Sequence, residues 1–254
     1  MKGLIPLLVA LQFLTRLPVR LSAPITDSDR GRSLLYYPLV GLMLGIMLAV
    51  IAGAFWGRGS MLGAAIVLVV WVLVTGGLHL DGLADSADAW VGGQGNRERS
   101  LAIMKDPYCG PAGVVALVVV LLLKFSALEA LLARHDGLSP AIAPFIGRAA
   151  LTGLFLTTPY VRVGGLGESL ARYCPRGPAI VAVLGTAASV LLFGGTRGWC
   201  ALAATGVTFA VLRALMLVRL GGASGDSAGA TVEIIETAVL VSGAMYWIYS
   251  GDGI

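Results

Sequence analysis

Long apolar runs alternate along the chain with short polar segments, and within the runs there is no period-two alternation. The runs are Leu34 to Trp56, Met61 to Leu80, Ala112 to Ala133, Leu138 to Pro159, Pro178 to Gly194, Trp199 to Val218 and Ala228 to Tyr249. They approach or exceed the roughly 18 to 20 residues a helix needs to cross a bilayer core of about 30 Å. Backbone groups in lipid must be paired internally, so each run is a helix or a barrel strand, and continuous runs with scattered Gly and Ala select helices. The pattern predicts an all-α fold: a polytopic transmembrane helical bundle of about seven spans forming one domain over residues 1–254. A further apolar stretch, Gly3 to Thr15, is too short to span and is punctuated by Pro6 and Arg16. With no small-residue cleavage site after Leu14, it predicts an amino-terminal interfacial or re-entrant helix rather than a signal peptide.

Composition agrees. The chain of 254 residues is 57% hydrophobic and only 13% charged, with a mean hydropathy of +0.87, whereas a soluble domain carries about 25% charged residues. A water-soluble monomer is therefore excluded. Cys109, Cys174 and Cys200 lie far apart without ligand spacing, which argues against zinc and against a disulfide framework. The net charge of +4 reads as the positive-inside bias of a membrane protein, and no nucleic-acid partner is expected. With the amino terminus in the cytoplasm, Lys2, Arg16, Arg20, Arg30, Arg32, Arg97, Arg99, Lys105, Arg162, Arg172, Arg176 and Arg219 fall inside, and only Arg58, Arg134 and Arg197 outside. The same topology puts Asp81 to Pro111, Tyr160 to Gly177 and Leu220 to Ser227 on the cytoplasmic face, where an active site could be assembled.

The acidic residues concentrate on that face. Asp81, Asp85 and Asp88 are spaced by four and three and so share one helix face. Three stacked carboxylates repel one another unless a cation sits among them, and an all-oxygen shell favours magnesium, calcium or manganese. The competing reading is a solvated helix end whose acids favour the amino-terminal dipole. Downstream, Arg97, Arg99 and Lys105 offer positive charge for a metal-bound diphosphate, though two arginines at this place also serve topology and Lys105 could pair with Asp106. A second acidic segment surrounds Asp226 with small residues, and Ser224 and Ser227 are available as donors or ligands. Lys124, Arg148, Arg213, Glu233 and Glu236 lie inside apolar runs, where an ionisable group is a functional candidate unless paired. His79 is a candidate base or ligand beside Asp81, against a merely structural role; His135 is assigned none.

The segments Gly76-Gly-Leu-His-Leu-Asp-Gly-Leu-Ala-Asp85, Ile103-Met-Lys-Asp106 with Gly110 and Gly113, and Gly221-Gly-Ala-Ser-Gly-Asp226 with Gly229, Ala230 and Glu233 together resemble the cobalamin synthase family, adenosylcobinamide-GDP ribazoletransferases. Phe13-Leu-Thr-Arg-Leu-Pro-Val19, Tyr37-Pro-Leu-Val-Gly-Leu42 and Leu122-Leu-Lys124 extend the likeness over most of the chain. Three positions depart from the family pattern: Ser86 replaces Thr, Ala89 replaces Gly, and Pro107 replaces a Ser, which removes a hydroxyl.

The resemblance implies a magnesium-dependent, multi-pass enzyme of the inner membrane. It would join adenosylcobinamide-GDP to α-ribazole or its 5′-phosphate with release of GMP, at a site on the cytoplasmic face. The expected partners are the corrinoid and ribazole substrates and membrane lipid, a homo-oligomer being compatible with both. In this reading Asp81, Asp85, Asp88 and Asp226 hold the metal. Asp81, Asp85, Asp88, Asp106 and His79 form the catalytic group, and Arg97, Arg99, Lys105, Lys124, Ser224 and Asp226 contact substrate. One rival is a lipid-directed CDP-alcohol phosphotransferase, whose usual Asp-Gly-x-x-Ala-Arg run is lacking at Asp81. The other is a transporter, which would place acids deep in several spans rather than at cytoplasmic ends.

Overall fold

The structure, a computed structural model, describes residues 4–21, 24–56, 59–162 and 164–250, so Lys2 and Arg58 of the charge pattern lie outside the described residues. The helices in chain order are α1 Ile5–Leu14, α2 Asp27–Ser33, α3 Tyr37–Gly53, α4 Ser60–Thr75, α5 Leu78–Gly92, α6 Arg97–Ile103, α7 Pro111–Ala133, α8 Leu138–Thr157, α9 Leu166–Tyr173, α10 Arg176–Leu220 and α11 Gly225–Tyr249. Among the described residues no strand interrupts this all-α order; there is one isolated parallel bridge, between Tyr160 and Ala223.

Five helical stretches are long and apolar enough to cross a membrane unaided. One of them, the 45-residue α10, is twice the length a bilayer requires and carries a break at Gly195, with φ 53° and ψ −136°. Its two limbs fold back on each other. A Cβ on Gly198 would collide with the Val190 carbonyl, a neighbour no straight helix provides eight residues away. The ends agree: Arg176 donates to the Leu156 carbonyl at 2.8 Å and Arg213 to the Thr157 carbonyl at 2.7 Å, both at the end of α8. Arg197, just past the break, instead lies 3.2 Å from Asp136 in the α7–α8 connection. Residues 176–194 and 196–220 are therefore separate crossings, and with α4 the bundle makes about seven.

One expected span is corrected. The run Met61 to Leu80 is not a single helix, because α4 stops at Thr75 and Gly76 and Gly77 both adopt left-handed conformations, φ 66° and 69°. Residues without a Cβ penalty there let the chain turn by 88° into α5. With α4 as the span, α5 lies across the end of the bundle, outside the spans, and the helix expected to carry Asp81, Asp85 and Asp88 begins at Leu78. Helix α1 is ten residues long, about 15 Å at 1.5 Å per residue, and does not cross. Its end is tied to the same corner, where the Arg16 amide donates to the Val74 carbonyl at 2.7 Å.

The core has two main clusters. One, around Leu48, Val67, Trp71, Leu128, Leu131, Ile146, Ile235 and Leu240, fills the middle of the bundle; the other, around Leu14, Leu34, Tyr37, Leu154 and Val232, packs α1 against the end that bears α5. Many large apolar residues remain exposed, among them Leu192, Phe193 and Val218, as expected of helices solvated by lipid.

Inside the bundle four charges neutralise one another. Lys124 of α7 lies 2.6 Å from Glu233 and 2.7 Å from Glu236 of α11, over the Trp71 ring, and Arg148 of α8 pairs with Glu236. The intramembrane ions thus pin three helices together, and Lys124 sits among them rather than at a substrate surface.

Candidate active site

Helix α5 crosses the start of α11 where both carry small residues. A Cβ on Gly82 would stand 2.6 Å from the Asp226 carbonyl oxygen, and one on Gly229 would be 3.3 Å from the His79 backbone. This close approach brings Asp226, remote in sequence, beside Asp81 and Asp85. Burial first, then the negative charges of Asp81, Asp226 and Asp88, push the Asp85 carboxyl up to about 6.

The crossing forms one wall of a cleft of about 530 Å³ that is also lined by His79, Lys105, Tyr160, Arg162 and the glycines at 164, 165 and 167. Phe13, Leu151 and Phe155 form its apolar side. Arg162 Nη1 lies 3.0 Å from Asp226 Oδ2. The glycine-rich entry to α9 has a packing reason, because a Cβ at Gly165 or Gly167 would run into the Tyr160 ring or hydroxyl.

The remaining sequence candidates have varied placements. Asp88 is turned away from the cleft: its two carboxylate oxygens accept from the amides of Gly110 at 2.7 Å and Gly113 at 2.9 Å, capping α7. Ser224 is fully buried and locked with Ser227 in a reciprocal cap of α11, so its hydroxyl is not presented to the cleft. Arg97 donates through Nε to the Leu220 carbonyl at 2.7 Å, closing the end of α10. Arg99 is exposed on α6. Asp106 is exposed, and its Oδ1 accepts from the Tyr108 amide. His79 is 3% exposed, and neither ring nitrogen has a hydrogen-bond partner. Its burial, with the charges of Arg148 and Lys124 beyond, holds the imidazole well below its ordinary value and therefore neutral. Sequence reasoning missed Arg162, Tyr160 and the 164–167 glycines as site residues; a cluster of glycines next to an arginine in a connection between helices was the available signal.

Among the described residues no three His, Cys, Asp or Glu side chains are gathered into a ready-made ion shell. The donor set nonetheless fits magnesium. That ion keeps several waters and is typically held by one or two carboxylates together with substrate phosphates rather than by an all-protein cage. Asp81, Asp85 and Asp226 supply oxygen donors with an unbalanced negative charge beside the cleft.

The sequence matches the family model described as cobalamin-5-phosphate synthase over residues 6–244. A Pseudomonas fluorescens protein is 55% identical over 245 residues, covering 96% of this chain and 100% of its own. A Pseudomonas aeruginosa protein is 55% identical over 94% of this chain and 97% of its own, and a Stutzerimonas stutzeri protein 53% identical over 95% and 98%. All three are named adenosylcobinamide-GDP ribazoletransferase. No solved structure matches.

Proposed function

Since the chain belongs to the cobalamin-5-phosphate synthase family and is a membrane-embedded transferase, we propose that it joins adenosylcobinamide-GDP to α-ribazole or α-ribazole 5′-phosphate, releasing GMP. The reading is magnesium-dependent, with the cleft on the cytoplasmic face of the inner membrane. The observation that carries it is the α5–α11 crossing, which sets Asp226 against the face bearing Asp81 and Asp85 at the wall of the cleft.

Asp81, Asp85 and Asp226 would hold the ion. When bound, magnesium neutralises diphosphate charge and makes GMP a better leaving group. The protein's own groups bind and orient: Lys105 adds positive charge at the cleft wall, and the apolar side of the cleft excludes water from the reacting bond. The ribazole 5′ oxygen attacks the cobinamide-side phosphorus, a new O–P bond forms, and the bond to GMP breaks. When the nucleophile is the free nucleoside its hydroxyl proton must go to a base, and neutral His79, with two unpartnered nitrogens at the cleft, suits that role. Asp88 acts one step back by fixing the start of α7.

The test is purified protein in lipid nanodiscs with adenosylcobinamide-GDP, α-ribazole and magnesium. GMP and the joined corrinoid should appear together, stop on chelation, and fail in Asp85→Asn. GMP release without a joined corrinoid would refute the transfer.

A further inference from the structure

In the sequence Arg162 reads only as a charge that sets topology, yet it is held unlike a topology charge. Its backbone is fixed on both sides: the Val161 amide donates to the Ala223 carbonyl at 2.9 Å, and the Arg162 carbonyl accepts from the Gly165 amide at 3.2 Å. The side chain reaches the wall of the cleft and meets Asp226, with 32% of the arginine side chain and 17% of the aspartate exposed. Around it Gly164 has nothing within 4 Å of where a Cβ would stand, and the nearest atom to such a Cβ on Gly225 is 3.8 Å away. The guanidinium therefore has an anchored base, and with about a third of its side chain exposed at the cleft it has room to move. That the cleft is made for a ligand has separate support in His79, which is nine-tenths buried, lines the cleft and has no partner for either nitrogen.

We propose that Arg162 exchanges partners during substrate binding: it neutralises Asp226 in the ion-free protein, and once a divalent cation takes that carboxylate, the released guanidinium clamps the diphosphate of the nucleotide-activated substrate. The inference rests on the ion site proposed above and adds a substrate-binding residue to it. A guanidinium and a divalent cation on one carboxylate repel each other, so they compete for Asp226. A planar fork of donors matches phosphate oxygens, and the nearest unclaimed anion in an ion-loaded cleft is the substrate's diphosphate.

Exchange has a signature that a purely structural ion pair lacks: removing the arginine's charge should strengthen ion binding and weaken nucleotide binding. The experiment uses the full chain in lipid nanodiscs, with Mn2+ followed by electron paramagnetic resonance and GDP binding measured in excess Mg2+. Arg162→Gln should tighten Mn2+ alone about threefold to tenfold, the effect of removing one positive charge from the neighbourhood of a dication in a largely aqueous setting. The same variant should weaken GDP about tenfold or more, the loss of a charged hydrogen-bonding partner. Arg162→Lys keeps the charge but not the fork, so Mn2+ affinity should match the parent while GDP still weakens. If Asp85→Asn leaves Mn2+ binding intact, the ion site is wrong and the exchange falls with it. If Asp85→Asn abolishes Mn2+ binding but Arg162→Gln moves both affinities in the same direction, or leaves either unchanged, only the exchange is overturned.

Discussion

Asp88 and Asp85 are three residues apart on one helix, and the structure gives them opposite duties that stability measurements can separate. The first turn of α7 has no side-chain cap of its own, since Gly110 precedes it and Pro111 opens it. Asp88 fills that role from α5 with amide contacts of 2.7 and 2.9 Å. Removing a cap costs about 1–2 kcal/mol, and losing a negative charge at a helix amino terminus about 0.3–1 kcal/mol more. Asp88→Ala should therefore cost about 1.3–3 kcal/mol, which for a chain of this size lowers Tm by roughly 3–12 °C. Asp88→Asn keeps one acceptor and should fall between. Asp85→Ala removes a carboxyl that is repelled by its neighbours, so its Tm should match or exceed the parent's while turnover is lost. The assay is thermal unfolding in detergent by circular dichroism, run beside Mn2+ binding. An Asp88→Ala protein that melts with the parent but no longer binds Mn2+ would refute the assignment and make Asp88 a ligand.

Gly82→Ala should force α5 away from Asp226 and reduce turnover by up to roughly 100-fold, as a displacement of about 1 Å at an assembled site does; unchanged steady-state kinetics would mean the crossing is not what assembles the site. Lys124→Met leaves two buried carboxylates with one cation and should destabilise by about 3–5 kcal/mol, partly relieved by a second change, Glu233→Gln, in denaturant titrations. The Asp85 carboxyl, raised to about 6, is protonated below that pH, so Mn2+ affinity should fall as pH drops from 7 to 5, approaching tenfold per unit below 6. Because this folded-state value exceeds the unfolded one, the metal-free protein should gain stability on acidification through 6 and lose it as pH rises, and Asp85→Asn should reduce that dependence.

The spans were readable because lipid imposes a length and an apolarity that few other constraints imitate. The turn at Gly76 and Gly77 was not, because Leu78 and Leu80 continue the apolar pattern past it and only the backbone angles reveal that α4 has ended. The spacing of Asp81, Asp85 and Asp88 was legible as one helix face, but spacing cannot say that the last of them turns toward another helix. Ser224 and Arg97 read as ligands because their side chains can bind phosphate; their use on helix ends depends on which termini fold next to them. Arg162 escaped notice because in a sequence a charge between two spans satisfies the positive-inside rule whatever else it does. For Lys124, Arg148, Glu233 and Glu236 the sequence offers mutual pairing as the alternative to function without saying who pairs with whom, and the structure supplies the partners.

That four-charge cluster also constrains how the protein is made. Synthesis runs from the amino end, so α7 and α8 reach the membrane carrying two buried cations whose counter-charges lie on α11, which emerges later. Until α11 arrives, Lys124 and Arg148 are unpaired in a medium that penalises them by several kcal/mol. Helix α11 in turn enters lipid with two acids whose partners in the folded bundle are those cations. Integration of α11 and neutralisation of the cluster are therefore coupled. A chain that stops short of residue 233 leaves Lys124 and Arg148 without the carboxylates that pair with them.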